Sequence, residues 1–424
     1  MFTHYFKMVI SLQIKSMRRL GLITFCLLLM VKGQTQYKND NVLFKTIDPS
    51  EVCKYLAENP AHLLLDVRTV GEYNDTSRFA GLNFGHLDGA RNIPVAELGQ
   101  KMSTLAAYKN QPVFVYCSHS QRSRRALKQL ADSGFTKLYN INGGITAVYY
   151  ENLYQEDCLR DMLKSNLNYR FISPQELCKR LDNPATDTYI LDVRSDSAWQ
   201  GISLNPQENA FGRIRGAHHI SLPALRKDPA QVPEGQDIII TDLDGTEAAY
   251  AATLLAKRGK QSVFVLVEGI DRWLAMNPAD LPCKYNKYES NLPIQIISAA
   301  EAYKFIQKDP TMHILDIRSV AEYSGTHKEA FRNIGRVEHA INIPLDSLSH
   351  SKSAIQSWKE EVVLLYGFGG GIEPFKAASM LVADGFKEVY VLQDGIFGLR
   401  WTAHNIAGQA RLSDLVTDVP AVNQ

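Results

Sequence analysis

The chain repeats one sequence pattern three times, at intervals of about 125 residues. An Asp-x-Arg triplet behind an apolar run occurs at Asp66, Asp192 and Asp316. Each triplet is followed by a Gly-x-x-x-x-Ala stretch that leads to an Ile-Pro or Leu-Pro pair, at Pro94, Pro223 and Pro344. A period of this length indicates duplicated domains rather than a solenoid, whose repeats are much shorter.

Within each unit, short apolar strands alternate with amphipathic helices. This alternation predicts an α/β protein of three tandem domains, each with a mainly parallel central sheet flanked by helices. Linkers are expected near residues 155–168 and 279–293. The predicted boundaries are 1–33 for a signal peptide, 34–157, 158–290 and 291–402 for the three domains, and 403–424 for a partly ordered tail.

The composition fits a folded protein of several domains. Hydrophobic residues make up 45% of the 424 residues and charged residues 21%, which is usual for globular proteins. The formal net charge is +1, but residues 1–33 contain five basic and no acidic side chains. The remainder is slightly acidic, so nothing in the composition indicates a nucleic-acid partner.

The N-terminus carries an apolar run from Leu20 to Val31, directly behind Arg18 and Arg19. The run is too short to span a membrane comfortably, and its length and basic flank are typical of a secretory signal cleaved near Gly33. An uncleaved N-terminal anchor is the alternative. The expected location is therefore periplasmic or secreted.

One cysteine stands where an apolar strand meets a polar turn. Residues 113–116 lead to Cys117, and the next residues are Ser118, His119, Ser120, Gln121, Arg122 and Ser123, where a helix is predicted to begin. Backbone N–H groups of residues 118–122 and the positive end of the helix can converge on the sulfur, which favours a thiolate and holds an anion. The alternative is a structural cysteine at a strand end, although a polar turn is unusual for a core position.

The Asp-x-Arg strand, the Gly-His-x-x-Gly-Ala-x-x-Ile-Pro stretch and the cysteine loop together resemble the rhodanese homology domain, over about residues 44–402. The resemblance implies a sulfurtransferase in which Cys117 takes a sulfane sulfur from thiosulfate or a persulfide, holds it as a persulfide and passes it to a thiol or cyanide. This chemistry requires no cofactor, and the sequence shows no metal-ligand spacing. The resemblance also implies that residues Ser118 to Ser123 line the pocket, with Arg122 supporting the anion. The six-residue Cys-x4-Arg loop favours sulfur over the larger phosphoryl group.

Several nearby residues have predicted roles. Asp66 and Arg68 are expected to form a structural pair, because the units without a cysteine keep both. Glu72 stands where thiosulfate-type enzymes often have an arginine, which argues against thiosulfate as the donor. Ser120 replaces a common glycine and would be strained at positive φ.

His119 is either a proton donor or an exposed loop residue. A second set consists of basic helix residues that either steer anionic donors or form a solvated face, namely Arg124, Arg125 and Lys128.

The other two units lack the cysteine. Asp242 aligns with Cys117 inside an Asp-Leu-Asp-Gly-Thr sequence, which also matches the nucleophile motif of haloacid-dehalogenase-type phosphatases, a less favoured alternative. Gly367 occupies the same position in the third unit, at the start of a degenerate glycine-rich loop. Domains 2 and 3 are therefore predicted to serve packing, substrate gating or binding of a protein partner. A non-catalytic scaffold or redox sensor is the alternative for the whole chain.

The remaining cysteines of the expected mature chain have weaker signals. Cys53 and Cys178 occupy equivalent helix positions and are predicted to be core residues. Cys158 and Cys283 are also equivalent, and either a disulfide between them or a role as sulfur acceptor is conceivable in an oxidising compartment.

Overall fold

A computed structural model of the protein describes residues 43–183, 186–406 and 408–420. They form three α/β units in sequence, each built on a five-stranded sheet whose strand pairs are all parallel. The predicted fold class is confirmed. The predicted signal peptide lies outside the described residues.

The central strands are short and buried because their sequences are nearly all apolar; Leu63–Asp66, for example, is buried at all four positions. In spatial order, the first sheet contains Lys45–Ile47, Lys137–Ile141, Pro112–Tyr116, Leu63–Asp66 and Arg91–Asn92. The second contains His218–His219, Thr188–Asp192, Asp237–Thr241, Val263–Leu266 and Arg170–Ile172. The third contains Ile294–Ile297, Glu388–Leu392, Val362–Tyr366, His313–Asp316 and Ile341–Asn342.

Helices connect the strands, and several begin at a residue that caps their free N–H groups; Ser173 and Ser298 each accept a backbone hydrogen bond three residues on. The first domain contains Val52–Glu58, Val70–Tyr73, Leu98–Lys101, Gln121–Asp132, Gly144–Tyr150 and Asp157–Met162. The second contains Pro174–Asp182, Asp196–Gln200, Pro206–Ala210, Leu222–Lys227, Thr246–Lys257 and Gly269–Ala275. The third contains Ala299–Lys308, Val320–Tyr323, Leu345–Leu348, Glu373–Ala383 and Gly395–Asn405. In the described part of the chain, none of the helices is both long and apolar enough to cross a bilayer.

Each domain is closed by a two-stranded antiparallel ribbon whose second strand follows the last helix. The ribbons pair His86–Leu87 with Leu163–Lys164, Arg213–Ile214 with Tyr288–Glu289, and Arg336–Val337 with Val416–Thr417. The predicted linkers therefore belong in part to the preceding domain, and the predicted boundary at 157/158 is too early. Within the predicted partly ordered tail, residues 410–417 pack on the third domain, because Leu412 and Leu415 are buried in its core.

The first and second domains each contain one disulfide, which ties the N-terminal part of the domain to its C-terminal part. Cys53 is bonded to Cys158 and Cys178 to Cys283, with Cα–Cα separations of 6.4 and 6.0 Å. Cys53 and Cys178, which were predicted as core residues, pack in or against the core and are in addition disulfide-bonded. The suggested bond between Cys158 and Cys283 is wrong. The reason is local: each bond joins the first helix of a domain to the C-terminal segment of that same domain. Among the described residues, Cys117 is the free cysteine.

The three domains pack against one another through apolar side chains. Phe84 of the first domain lies 4.6 Å from Phe171 of the second, between ring centroids. Phe211 of the second domain lies 5.4 Å from Phe375 of the third. Buried residues therefore form continuous clusters that run from one domain into the next.

Candidate active site

Cys117 lies directly after the central strand Pro112–Tyr116 and is 1% exposed. Its carbonyl oxygen accepts a hydrogen bond of 2.9 Å from the N–H of Ile145, in the first turn of helix Gly144–Tyr150. Gly144 makes this approach possible: it has φ +62°, and a Cβ there would lie 2.2 Å from the Cys117 oxygen. The backbone of the cysteine loop is thus held in place by the turn that begins helix Gly144–Tyr150.

The helix after the cysteine runs from Gln121 to Asp132, so it begins two residues earlier than predicted. Ser120, which precedes the helix, has φ +71°. Its backbone is therefore strained, as predicted for a serine at positive φ. Gln121 is exposed, whereas Ser118, Ser120 and Ser123 are buried. The loop therefore combines small buried polar residues with the N-terminal end of a twelve-residue helix.

A chain of buried polar side chains contacts the sulfur of Cys117. The Sγ of Cys117 lies 3.8 Å from the Oγ of Ser123, which donates to the Oδ1 of Asn140 at 2.6 Å. The equivalent residues of the second domain are Ala248 and Val265, which have no polar side-chain atoms. The polar contacts beneath the sulfur are therefore missing from the second domain, whose loop lacks the cysteine. Asn140 was not predicted from the sequence; the available signal was an asparagine between Tyr139 and Ile141 in the strand Lys137–Ile141.

Arg122 is held by a carboxylate. Its guanidinium donates to both oxygens of Glu72 at 2.6 Å and to the Oγ of Ser118 at 2.9 Å. Burial opposes ionisation of Glu72, but the hydrogen bonds from Arg122 and Thr69 outweigh it, and the pKa of Glu72 is lowered. The carboxylate of Glu72 therefore balances the charge of Arg122 inside the site. Glu72 contacts the loop directly, although it precedes Arg122 by fifty residues in the sequence.

Asp66 and Arg68 form a fully buried ion pair, with a contact of 2.6 Å between Nη2 and Oδ2. The same guanidinium nitrogen also donates to the Gly85 carbonyl at 2.6 Å. The equivalent arginines of the other domains, Arg194 and Arg318, make the same two kinds of contact. The pair therefore has a structural role in joining the strand end to the Gly-x-x-x-x-Ala stretch.

The second domain's loop shows how the backbone of this loop binds a side-chain carboxyl group. Asp242 follows its strand at the position of Cys117, and Ile270 donates to its carbonyl as Ile145 does to that of Cys117. The Asp242 carboxyl group accepts hydrogen bonds from the N–H groups of Gly245 at 2.6 Å, Glu247 at 2.6 Å and Ala248 at 3.1 Å. Burial, followed by the nearby charge of Asp244, raises the pKa of Asp242 to about 7.

Both oxygens of Asp242 are thus engaged by the loop's own backbone. This use of the carboxyl group, together with the shared loop register, argues against the alternative of a phosphatase nucleophile at Asp242. The amides that correspond to those of Gly245, Glu247 and Ala248 in the first domain belong to Ser120, Arg122 and Ser123.

The third domain's loop has lost this arrangement. Gly367 stands at the cysteine position, because Ile396 donates to its carbonyl at 3.2 Å. The following helix, Glu373–Ala383, begins two residues later than its counterparts, after the glycine-rich stretch. Phe368 packs near Phe331 and Phe397, with ring centroids 6.0 and 5.8 Å away.

The first domain's loop also contacts both neighbouring domains. The Nε2 of His119 lies 2.6 Å from the Oε1 of Glu268 in the second domain. Arg124 is hydrogen-bonded to Asn405 of the third domain, whereas Arg125 and Lys128 are exposed on the same helix. Glu268 could not be predicted from the sequence as part of this site, because it contacts the cysteine loop from a different domain. No group of three or more His, Cys, Asp or Glu side chains suited to a metal occurs in the part of the chain described.

These features define a protein of three parallel-sheet α/β domains with one cysteine loop suited to holding an anionic sulfur. The family model for the rhodanese-like domain matches residues 48–151, 173–276 and 298–401. The chain therefore belongs to the rhodanese-like domain family, in three tandem copies.

Individual relatives match shorter stretches. The uncharacterized protein YqhL of Bacillus subtilis is 40% identical over 81 residues, which cover 19% of this chain and 56% of YqhL. The thiosulfate sulfurtransferase PspE of Escherichia coli is 32% identical over 79 residues, covering 19% of this chain and 67% of PspE. A crystal structure of a thiosulfate sulfurtransferase from Pseudomonas aeruginosa covers 89% of this chain and 71% of its own, at 19% identity and a TM-score of 0.23. This chain thus spans little more than half the length of YqhL.

Proposed function

We propose that the first domain is a sulfurtransferase that carries sulfur as a persulfide on Cys117. The observation that carries this proposal is the filled loop of the second domain. There, a side-chain carboxyl group at the cysteine position is bound by three backbone N–H groups. A persulfide on Cys117 is a short extension from the same position, and hydrogen bonds from the matching amides of Ser120, Arg122 and Ser123 would stabilise its negative charge.

The proposed reaction has two displacement steps. The Cys117 thiolate attacks the outer sulfur of the donor, and the donor's S–S bond breaks as the new one forms. Thiosulfate would release sulfite with the bonding electron pair, and a persulfide donor would release its thiolate. Cyanide then attacks the terminal sulfur and leaves as thiocyanate, or a thiolate acceptor leaves as a persulfide. Either acceptor restores the Cys117 thiolate without a cofactor.

The test is intact-mass spectrometry of the protein after exposure to thiosulfate or, separately, to a small persulfide. A gain of about 32 Da, one sulfur atom, that cyanide removes and Cys117→Ser abolishes is the expected result. Failure of every donor to load Cys117 would overturn the proposal. Loading without multiple turnover in the presence of acceptor would instead favour a sulfur or redox sensor.

We also propose that the protein is exported to the periplasm or secreted. The basic and apolar N-terminal segment supports this, and so do the two disulfides, since such bonds persist in oxidising compartments. The two domains that have no cysteine in the loop would then act by packing, by gating the first domain's loop or by binding a protein partner. Immunodetection of the protein in periplasmic and culture fractions, against a cytosolic marker, tests this location.

A further inference from the structure

The two side chains of the cysteine loop that can carry a positive charge are each bound by a carboxylate, and the two carboxylates come from different domains. The six-residue loop contains two side chains that could attract an anionic donor, His119 and Arg122. Arg122 is bound by Glu72 of its own domain, and His119 by Glu268 of the second domain. A donor approaching Cys117 therefore meets two carboxylates beside the backbone N–H groups.

Glu268 is fixed in its position by further contacts. Arg272 donates to its Oε2 at 2.5 Å, and the Arg272 guanidinium also lies 4.0 Å from the ring centroid of Tyr150 in the first domain. Burial disfavours its charge, but Arg272 and His119 outweigh this effect and lower the pKa of Glu268 to about 2. The carboxylate is therefore ionised at every pH at which the protein would work.

The backbone of Glu268 gives an independent reason to assign a role to its side chain. It has φ +53°, a left-handed conformation that costs a non-glycine residue free energy. The equivalent residue of the first domain is Gly143, with φ +64°. A glycine would satisfy the turn without strain, but it could not reach His119.

We propose that Glu268 of the second domain is a specificity-determining residue of the first domain's cysteine site, which disfavours doubly charged donors such as thiosulfate and so favours persulfide donors. The inference rests on the sulfurtransferase function proposed above. Coulomb repulsion is proportional to donor charge, so a carboxylate in contact with the cysteine loop penalises a dianion twice as much as a monoanion in free energy. The second domain would thus contribute to chemistry that takes place on the first.

The test compares single-turnover loading of Cys117 by thiosulfate and by the persulfide of a neutral thiol, in wild type and Glu268→Gln. Rates are divided by the rate of Cys117 alkylation with neutral iodoacetamide, which corrects for any change in thiolate reactivity. Loading by thiosulfate should rise about tenfold and loading by the persulfide about threefold, because the second factor is the square root of the first. Both gains should shrink as ionic strength increases.

Two further variants separate charge from packing. Glu268→Gly also removes the carboxylate and relieves the strained backbone, so it should fold and show the same preference for the dianion. Tyr250→Phe deletes another hydrogen bond between the first two domains, from the Tyr250 hydroxyl to the Arg78 carbonyl, and should leave both normalised rates unchanged.

Equal changes for the two donors, or no change, in Glu268→Gln and Glu268→Gly would overturn the assignment of Glu268 while leaving the sulfurtransferase function intact. If wild type is loaded by neither donor, the proposed function itself fails.

Discussion

Removing either disulfide should destabilise its domain by several kcal/mol. Each bond closes a loop with a sequence separation of 105 residues. In the chain-entropy description, a loop of this length restricts the unfolded state by about 5 kcal/mol at 25 °C. Cys53→Ala/Cys158→Ala and Cys178→Ala/Cys283→Ala should therefore have similar unfolded-state effects. The second pair is more buried, at 7% and 4% exposure, so its removal should cost about 1 kcal/mol more through lost packing.

Differential scanning calorimetry of the two double variants is the appropriate assay, since it resolves successive domain transitions. Reductant should bring wild type toward the variants, and Cys53–Cys158 should be reduced first, because Cys158 is exposed. The third domain contains no cysteine, so its transition serves as the internal control. A loss below about 1 kcal/mol in both double variants would refute the loop-entropy reasoning.

Three further outcomes follow from the loops. Gly144→Ala should abolish sulfur loading of Cys117 in the intact-mass assay, because its Cβ would lie 2.2 Å from the Cys117 oxygen, whereas Gly99→Ala, with no atom within 4 Å, should not. Ser120→Gly should keep loading and stabilise the first domain by about 1 kcal/mol in thermal unfolding, since Ser120 has φ +71°; a lower melting temperature would contradict this. Because the pKa of Asp242 is raised from 3.8 to about 7, its bound proton stabilises the fold at acid pH, and this contribution disappears as the pH rises through 7. The free energy of unfolding of wild type relative to Asp242→Asn should therefore decrease between about pH 4 and about pH 7, as measured by denaturant titration.

The fold could be predicted because its determinants are local and repeated. The Asp-x-Arg strand ends and the Ile-Pro or Leu-Pro pairs recur in all three units, and they fix the loop register that aligns Asp242 and Gly367 with Cys117. The position of the cysteine loop at the carboxyl end of a parallel strand follows from the same pattern.

The disulfide pairing could not be predicted, because it depends on how the C-terminal segment of each domain folds back onto that domain. The sequence marks that segment as a linker, yet its strand pairs within the preceding domain, as Leu163–Lys164 does with His86–Leu87. The contact between His119 and Glu268 was equally inaccessible, since no periodicity within a domain encodes how two domains pack. Glu72 was recognised as unusual, but its partner Arg122 lies fifty residues further along the chain and is brought near only by the sheet.

The self-filled loop of the second domain gives the molecule an internal reference for amide hydrogen exchange. The N–H groups of Gly245, Glu247 and Ala248 are bound to Asp242 whatever the sulfur supply, so their exchange rates should stay constant. The matching N–H groups of Ser120, Arg122 and Ser123 would slow only in molecules whose Cys117 carries sulfur. Comparing the two loops within one sample would therefore report the fraction of loaded molecules without a separately prepared standard.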